Sequence, residues 1–128
     1  MMTLSNVKIT SLNVNGLGDL SKRNAMITHI DSISPDICCL VDTRLSPDKS
    51  RIMDNESDTY KWWHNSGLQI NDWMSRGVSI GVKKSSMIKP DRFEIIIDGN
   101  VSCLSFSFEE KSFVLYCLYG PSDCDNPE

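Results

Sequence analysis

The 128-residue sequence holds no Cys-x-x-Cys pair, so its five cysteines offer no zinc-site spacing. Cys38, Cys39, Cys103 and Cys117 lie in apolar, strand-like runs instead, where free thiols serve as small apolar side chains. Long apolar runs are missing, and nothing reads as a membrane span. A positive excess is missing too: 13 Lys and Arg face 17 Asp and Glu, for a net charge of −4. That argues against binding nucleic acid through bulk basicity. It leaves open an enzyme that meets phosphate through a metal and a few local basic side chains. There is no repeat and no low-complexity segment, and the start, MMTLSNVKIT, lacks the charged head and apolar centre of a signal peptide. These absences fit an intracellular protein, cytoplasmic or nuclear, comprising one domain or part of one.

What is present reads as an α/β chain. Residues 7–14 (VKITSLNV) are β-branched without a helical period and read as a strand. The turn NGLGDL follows, and Ser21 is the expected N-cap of a helix over residues 22–33, with Ala25, Met26, Ile30 and Ile33 near one stripe. The SPD sequence stops that helix, because the residue before a proline is pushed out of the α region. Residues 37–41 (ICCLV) form the second strand, parallel to the first through a right-handed crossover. Residues 43–58 read as a polar loop, TYKWWH as a short aromatic strand, and residues 65–76 as irregular. From Gly77 on, strands alternate with turns: GVSIGVKK, RFEIIID, VSCLSFSFEE and SFVLYCLY. Asp98-Gly99-Asn100 and residues 109–112 are the expected hairpin connections. A β-α-β start followed by a meander suits a layered α/β fold.

Three strands end alike, in LNVNGL, LVDTRL and CLYGPSD. Each apolar run delivers a polar or ionisable side chain, Asn13, Asp42 or Tyr119, and then enters a loop with Gly or Pro. In open α/β sheets, sites form outside strand ends, on the loops that leave them. An amide, a carboxylate and a phenol converging there suit a hard cation and a phosphate.

This series resembles the endonuclease/exonuclease/phosphatase superfamily. ITSLNVNGL, PDICCLVDTRL, RGVSIGVKK and LYCLYGP are most similar to the apurinic-type endonuclease domain of non-LTR (LINE-type) retrotransposon polyproteins. The order and approximate spacing agree over nearly the whole chain. The resemblance implies the N-terminal part of a four-layer α/β/β/α sandwich, occupying residues 1–121, with 122–128 as a polar tail. It implies DNA strand nicking by phosphodiester hydrolysis with Mg²⁺, or Mn²⁺ in its place. Asn13 matches the asparagine that orients the metal-bound acid and the phosphate. Asp42 falls where a glutamate usually ligates Mg²⁺, and Tyr119 matches the tyrosine that hydrogen-bonds the scissile phosphate. The implied partners are DNA and the missing C-terminal half of the domain, or a downstream polyprotein.

Two departures shape the expectation. Asp42 is one methylene shorter than glutamate, so a metal must approach closer or be held through water. The family's Asp-x-Asn, later Asp and Ser-Asp-His segments would lie beyond Glu128, so the isolated chain is expected to be inactive. A second sheet is expected from residues that this chain does not encode. Plainer readings stand beside each assignment. Asn13 can be a turn former with Asn15-Gly16, Asp42 a loop acid capping Arg44 or the SPDK turn, and Tyr119 a core aromatic with its hydroxyl at the rim. Of Trp62 and Trp63, one faces the core and one the surface, where it can also stack on a base. His29 and His64 read as helix-surface and loop-edge residues. Lys22, Arg23, Arg44, Lys49, Arg51 and Arg76 read as a solvated face, with phosphate contact as the alternative. The functional alternative to an endonuclease portion is a non-catalytic nucleic-acid or protein binding module, or a relic, derived from such a domain.

Overall fold

Burial on both faces explains the apolar run at residues 37–41. In the computed structural model, which describes residues 6–120, this run is β2 (Ile37–Val41), a central strand with four of its five residues buried. It pairs in parallel with β1 (Ile9–Asn13) and antiparallel with β6 (Val78–Lys83), which pairs in turn with β3 (Tyr60–Asn65). The sheet order is β1-β2-β6-β3. A strand covered on both sides needs no polar alternation, and each fully buried Leu or Ile contributes about 1.5–3 kcal/mol.

Helices α1 (Leu20–Ile33) and α2 (Pro47–Glu56) cover one face of this sheet. Val14, Leu17, Ile30, Cys38, Leu40 and Met53 pack there. Helix α1 begins earlier than expected: Asp19, not Ser21, is its N-cap, and it makes no side-chain capping bond. Its buried positions are Arg23 and Ile30, with Met26 half-buried; Ala25 is exposed. It ends where Ser34 turns left-handed (φ 51°) and donates its N–H to the Ile30 carbonyl, just before Pro35.

Helix α2 occupies part of the expected polar loop. Ser46 Oγ accepts from the Lys49 N–H at 3.2 Å, and Pro47 takes the first turn, where its missing N–H costs nothing. The SPDK stretch is thus a helix start rather than a turn. The segment read as irregular holds a small hairpin, β4 (Leu68–Ile70) with β5 (Trp73–Ser75).

The meander forms a second sheet, β7 (Lys89–Ile97), β8 (Val101–Phe108) and β9 (Lys111–Leu118), in the order β7-β8-β9. This corrects the expectation that the second sheet lies outside the chain. Turn residues 84–88 carry the chain across after β6, so later strands oppose the first sheet instead of extending it. Ile37, Val78 and Ile80 pack against Leu104, Phe106 and Cys117 between the sheets. The described residues therefore build three layers, α/β/β. Cys38 and Cys39 take opposite faces as expected, Cys38 under the helices and Cys39 between the sheets. There Cys39 shares a thiol hydrogen bond with Cys117, which lowers the pKa of Cys39 and raises that of Cys117. Both expected hairpins are present; the second turns through Glu109 and Glu110, both left-handed. Among the described residues, no helix is long and apolar enough to cross a membrane.

Candidate functional site

Register puts one end of every strand of the two larger sheets in line. Asn13 pairs with Val41, Val41 with Val78, and Val78 with Asn65. In the second sheet the row is Ile97, Val101 and Leu118. Asn65 joins the two rows. It is 2% exposed; its Nδ2 donates to the Ile97 carbonyl at 3.0 Å and the Val101 carbonyl at 3.2 Å, while Oδ1 accepts from the Gly99 N–H at 2.7 Å. Sequence reasoning missed Asn65, because a strand-end amide carries no periodic signal.

The loops leaving these rows are tied to one another through the backbone. Gly16 N–H donates to the Asp42 carbonyl at 2.7 Å, Thr43 N–H to Gly77 at 3.0 Å, Arg44 N–H to Arg76 at 2.7 Å, and Gly77 N–H to Gly99 at 2.8 Å. Tyr119 N–H donates to the Asn100 carbonyl at 2.8 Å, and Asn100 Nδ2 returns a bond to the Tyr119 carbonyl at 2.9 Å. Asn13, Asp42 and Tyr119 thus belong to one connected set of strand ends. Left-handed backbone concentrates there, at Asn15, Asp42, Arg44 and Arg76 as well as Gly16, Gly77 and Gly99. Each non-glycine in this region costs on the order of 1–2 kcal/mol, strain that folds retain where surroundings over-determine it. Gly77 is obligatory: at φ 103° a Cβ would lie 2.5 Å from Thr43 Oγ1.

The three side chains differ in setting. Asn13 is exposed, and its Oδ1 accepts from the Asn15 N–H at 3.2 Å, a local turn contact. Tyr119 is half-buried against the core between the sheets. Asp42 is 3% exposed, and both of its oxygens accept from Arg44, from Nε at 2.9 Å and Nη2 at 2.8 Å. Among the described residues no group of three or more His, Cys, Asp and Glu gathers to hold a metal. As arranged, these residues do not fit a divalent cation: the one acid at the site already has a guanidinium forked across both oxygens.

The basic residues divide. Lys22 Nζ donates to the Asn15 carbonyl at 2.7 Å and Lys49 Nζ to Gly18 at 3.2 Å, which brings both to the loop after β1. Arg76 Nη1 reaches Asn100 Oδ1 at 3.1 Å. Arg51 pairs with Asp48 on α2. Arg23 is no surface cation: at 3% exposure it forks onto Glu56 at 2.8 and 3.2 Å and donates to the Leu17 and Gly18 carbonyls. Trp62 is buried and Trp63 half-buried beneath Lys61, 5.2 Å from the ring centroid. His29 is exposed. His64 is not at a loop edge but on β3, held between Ser79 Oγ (Nδ1, 2.7 Å) and Asp54 Oδ1 (Nε2, 2.8 Å). Burial pulls its pKa down, and the Asp54 hydrogen bond and charge partly restore it. Ser79, the hydroxyl partner, is 1% exposed, so this trio braces α2 on the sheet rather than offering a nucleophile.

No family model matches the sequence. Solved structures do match the fold. The chain superposes on the AP endonuclease LMAP of Leishmania major with TM-score 0.64 at 21% identity, over 88% of this chain and 40% of that one. It superposes on the Xenopus laevis APE2 catalytic domain with TM-score 0.65 at 18% identity, over 94% and 48%. D. rerio TDP2 complexed with single-strand DNA product gives TM-score 0.62 at 19% identity, over 86% and 44%. These neighbours share the endonuclease/exonuclease/phosphatase fold, which is therefore the fold of this chain. The chain spans about half of their length or less.

Proposed function

We propose that this chain is the N-terminal portion of a metal-dependent, DNA-nicking phosphodiesterase of the non-LTR retrotransposon type, incomplete as a catalyst by itself. The observation that carries the reading is the alignment of Asn13, Asp42 and Tyr119 at connected strand ends, beside Lys22, Lys49 and Arg76. The fold is also that of DNA-processing proteins, one of them complexed with single-strand DNA product. In this reading Asn13 and Tyr119 hold a phosphate by hydrogen bonds, and the lysines meet the backbone on either side. Mg²⁺, or Mn²⁺ in its place, belongs to the reading through Asp42, but no step is assigned to it while Arg44 engages that acid. A DNA substrate puts the protein's work in the nucleus or cytoplasm.

Plasmid nicking in Mg²⁺ and in Mn²⁺ tests the reading. The isolated chain should show no turnover above background, yet bind DNA in a salt-dependent way that weakens in Lys22→Ala and Lys49→Ala. Robust turnover abolished by Asp42→Ala would sink the claim of incompleteness, and absence of DNA binding would remove the reading altogether. The Asp42–Arg44 pair also favours a second reading, a non-catalytic binding module derived from such a domain. That module's binding should survive both EDTA and Asp42→Ala.

A further inference from the structure

We propose that Cys39 and Cys117 are a dithiol that closes to a disulfide between the two sheets when the chain meets a peroxide. The DNA-nicking reading uses neither thiol, so the two proposals stand or fall separately.

Topology brings the pair together. Positions 39 and 117 are remote in the chain but meet in the layer between the sheets, both buried and both free thiols. Facing sheets usually stand about 10 Å apart. Here β2 and β9 approach within 8 Å between Cα atoms, and a disulfide spans about 4.4–6.8 Å. The thiols already share a hydrogen bond, so no side chain stands between the sulfurs. Cys38 faces the helices instead, and Cys103 points away from the layer that its neighbour Leu104 fills. The chemistry divides the two roles. The bond from Cys117 lowers the pKa of Cys39 against its burial, and the same bond, with burial, raises that of Cys117. Burial and the Cys39 charge push Cys38 up to about 12, which keeps it a thiol. Cys39 is therefore the attacking thiolate and Cys117 the resolving thiol. The thiolate attacks the peroxide O–O bond; one oxygen stays on sulfur as a sulfenic acid, and the other leaves as hydroxide and takes up a proton. Cys117 then displaces the sulfenic oxygen as a second water. Two thiols and one hydrogen peroxide thus give one disulfide and two waters. Among the described residues β9 pairs with β8 alone, so opening a single ladder admits the peroxide. The new bond ties together the strands that lead into Asp42 and Tyr119.

Peptide mass mapping tests the pair on the full chain, fully reduced, treated with hydrogen peroxide under native conditions and then alkylated in urea. The expected product is one crosslinked peptide holding Cys39 and Cys117, absent without peroxide and released by dithiothreitol. The oxidised chain should also unfold at a higher urea midpoint than the reduced one. Cys117→Ala should show neither the bond nor the rise, with circular dichroism confirming its fold, while Cys38→Ala should keep both. Mapping of the wild type decides the question even where a variant fails to fold. Alkylation of both thiols after excess peroxide overturns the proposal. So does a bond through Cys38, Cys103 or Cys124 in its place, or one that forms only in urea. An oxidised chain with an unchanged or lower midpoint overturns the claim that the bond joins the sheets as they pack here.

Discussion

Asn65 carries more of the architecture than its place in the sequence suggests. It satisfies three backbone groups of the β7–β8 turn from the far end of the first sheet. Asn65→Ala takes one hydrogen bond from each in a buried setting, although the Ile97 carbonyl keeps the Asn100 N–H at 3.0 Å, and the expected loss is about 2–4 kcal/mol, read from urea midpoints. Asn65→Asp should cost about as much, since its carboxylate keeps the Gly99 bond but turns acceptors toward two carbonyls; a near-neutral result would refute this bridging role. His64 gives a pH signature. Its folded pKa lies below its ordinary value, so the unfolded chain binds the proton more readily. Its contribution is intact above about pH 6.5 and is lost as the pH falls below that value. The urea midpoint of wild type should therefore drop more between pH 7.5 and 5.5 than that of His64→Gln. Sequence alone placed Asp42 at a strand end because an apolar run ran into it, and Arg44 was one of two partners it offered beside the SPDK turn. The partners of Asn65 stand 32 to 36 residues away, beyond any local pattern.

At the scale of elements, the longer strands were legible and α2 was not. β2 announces itself because both faces are buried. In α2 only Ser50 and Met53 are buried, so no apolar stripe marks it. Its anchor is ionic instead: Arg23 of α1 reaches Glu56 in its last turn. Breaking a buried pair costs about 3–5 kcal/mol when one charge is stranded, and Glu56, with its side chain 19% exposed, lowers that. Arg23→Met is expected to destabilise by about 2–3 kcal/mol in thermal or urea unfolding. Pairing it with Glu56→Leu should recover part of the loss, and a double variant worse than the single would rule this account out. The β4–β5 hairpin escaped notice for a simpler reason, since three-residue strands are too short for alternation to register.

For the whole molecule, the layer count sets the behaviour of the isolated chain. Val114, Tyr116 and Leu118 project from the outer face of β9, 54%, 59% and 64% exposed, and Ile95 and Ile97 of β7 are also exposed. Among the described residues β9 pairs on one side only, leaving an apolar edge strand. Sedimentation velocity should detect concentration-dependent self-association, and Val114→Lys should shift the distribution toward monomer. A wild type monomeric at every concentration would contradict this. The sequence reading placed the second sheet outside the chain, because meander strands look the same whether they extend a sheet or oppose one. The backbone bonds that link Gly16, Asp42, Gly77, Gly99 and Tyr119 also bear on mechanics. Loops joined one to the next by carbonyl and amide act as springs in series, so the softest junction sets the compliance of the whole rim. A displacement at Tyr119 therefore loads the Gly16 loop through peptide groups rather than through side chains.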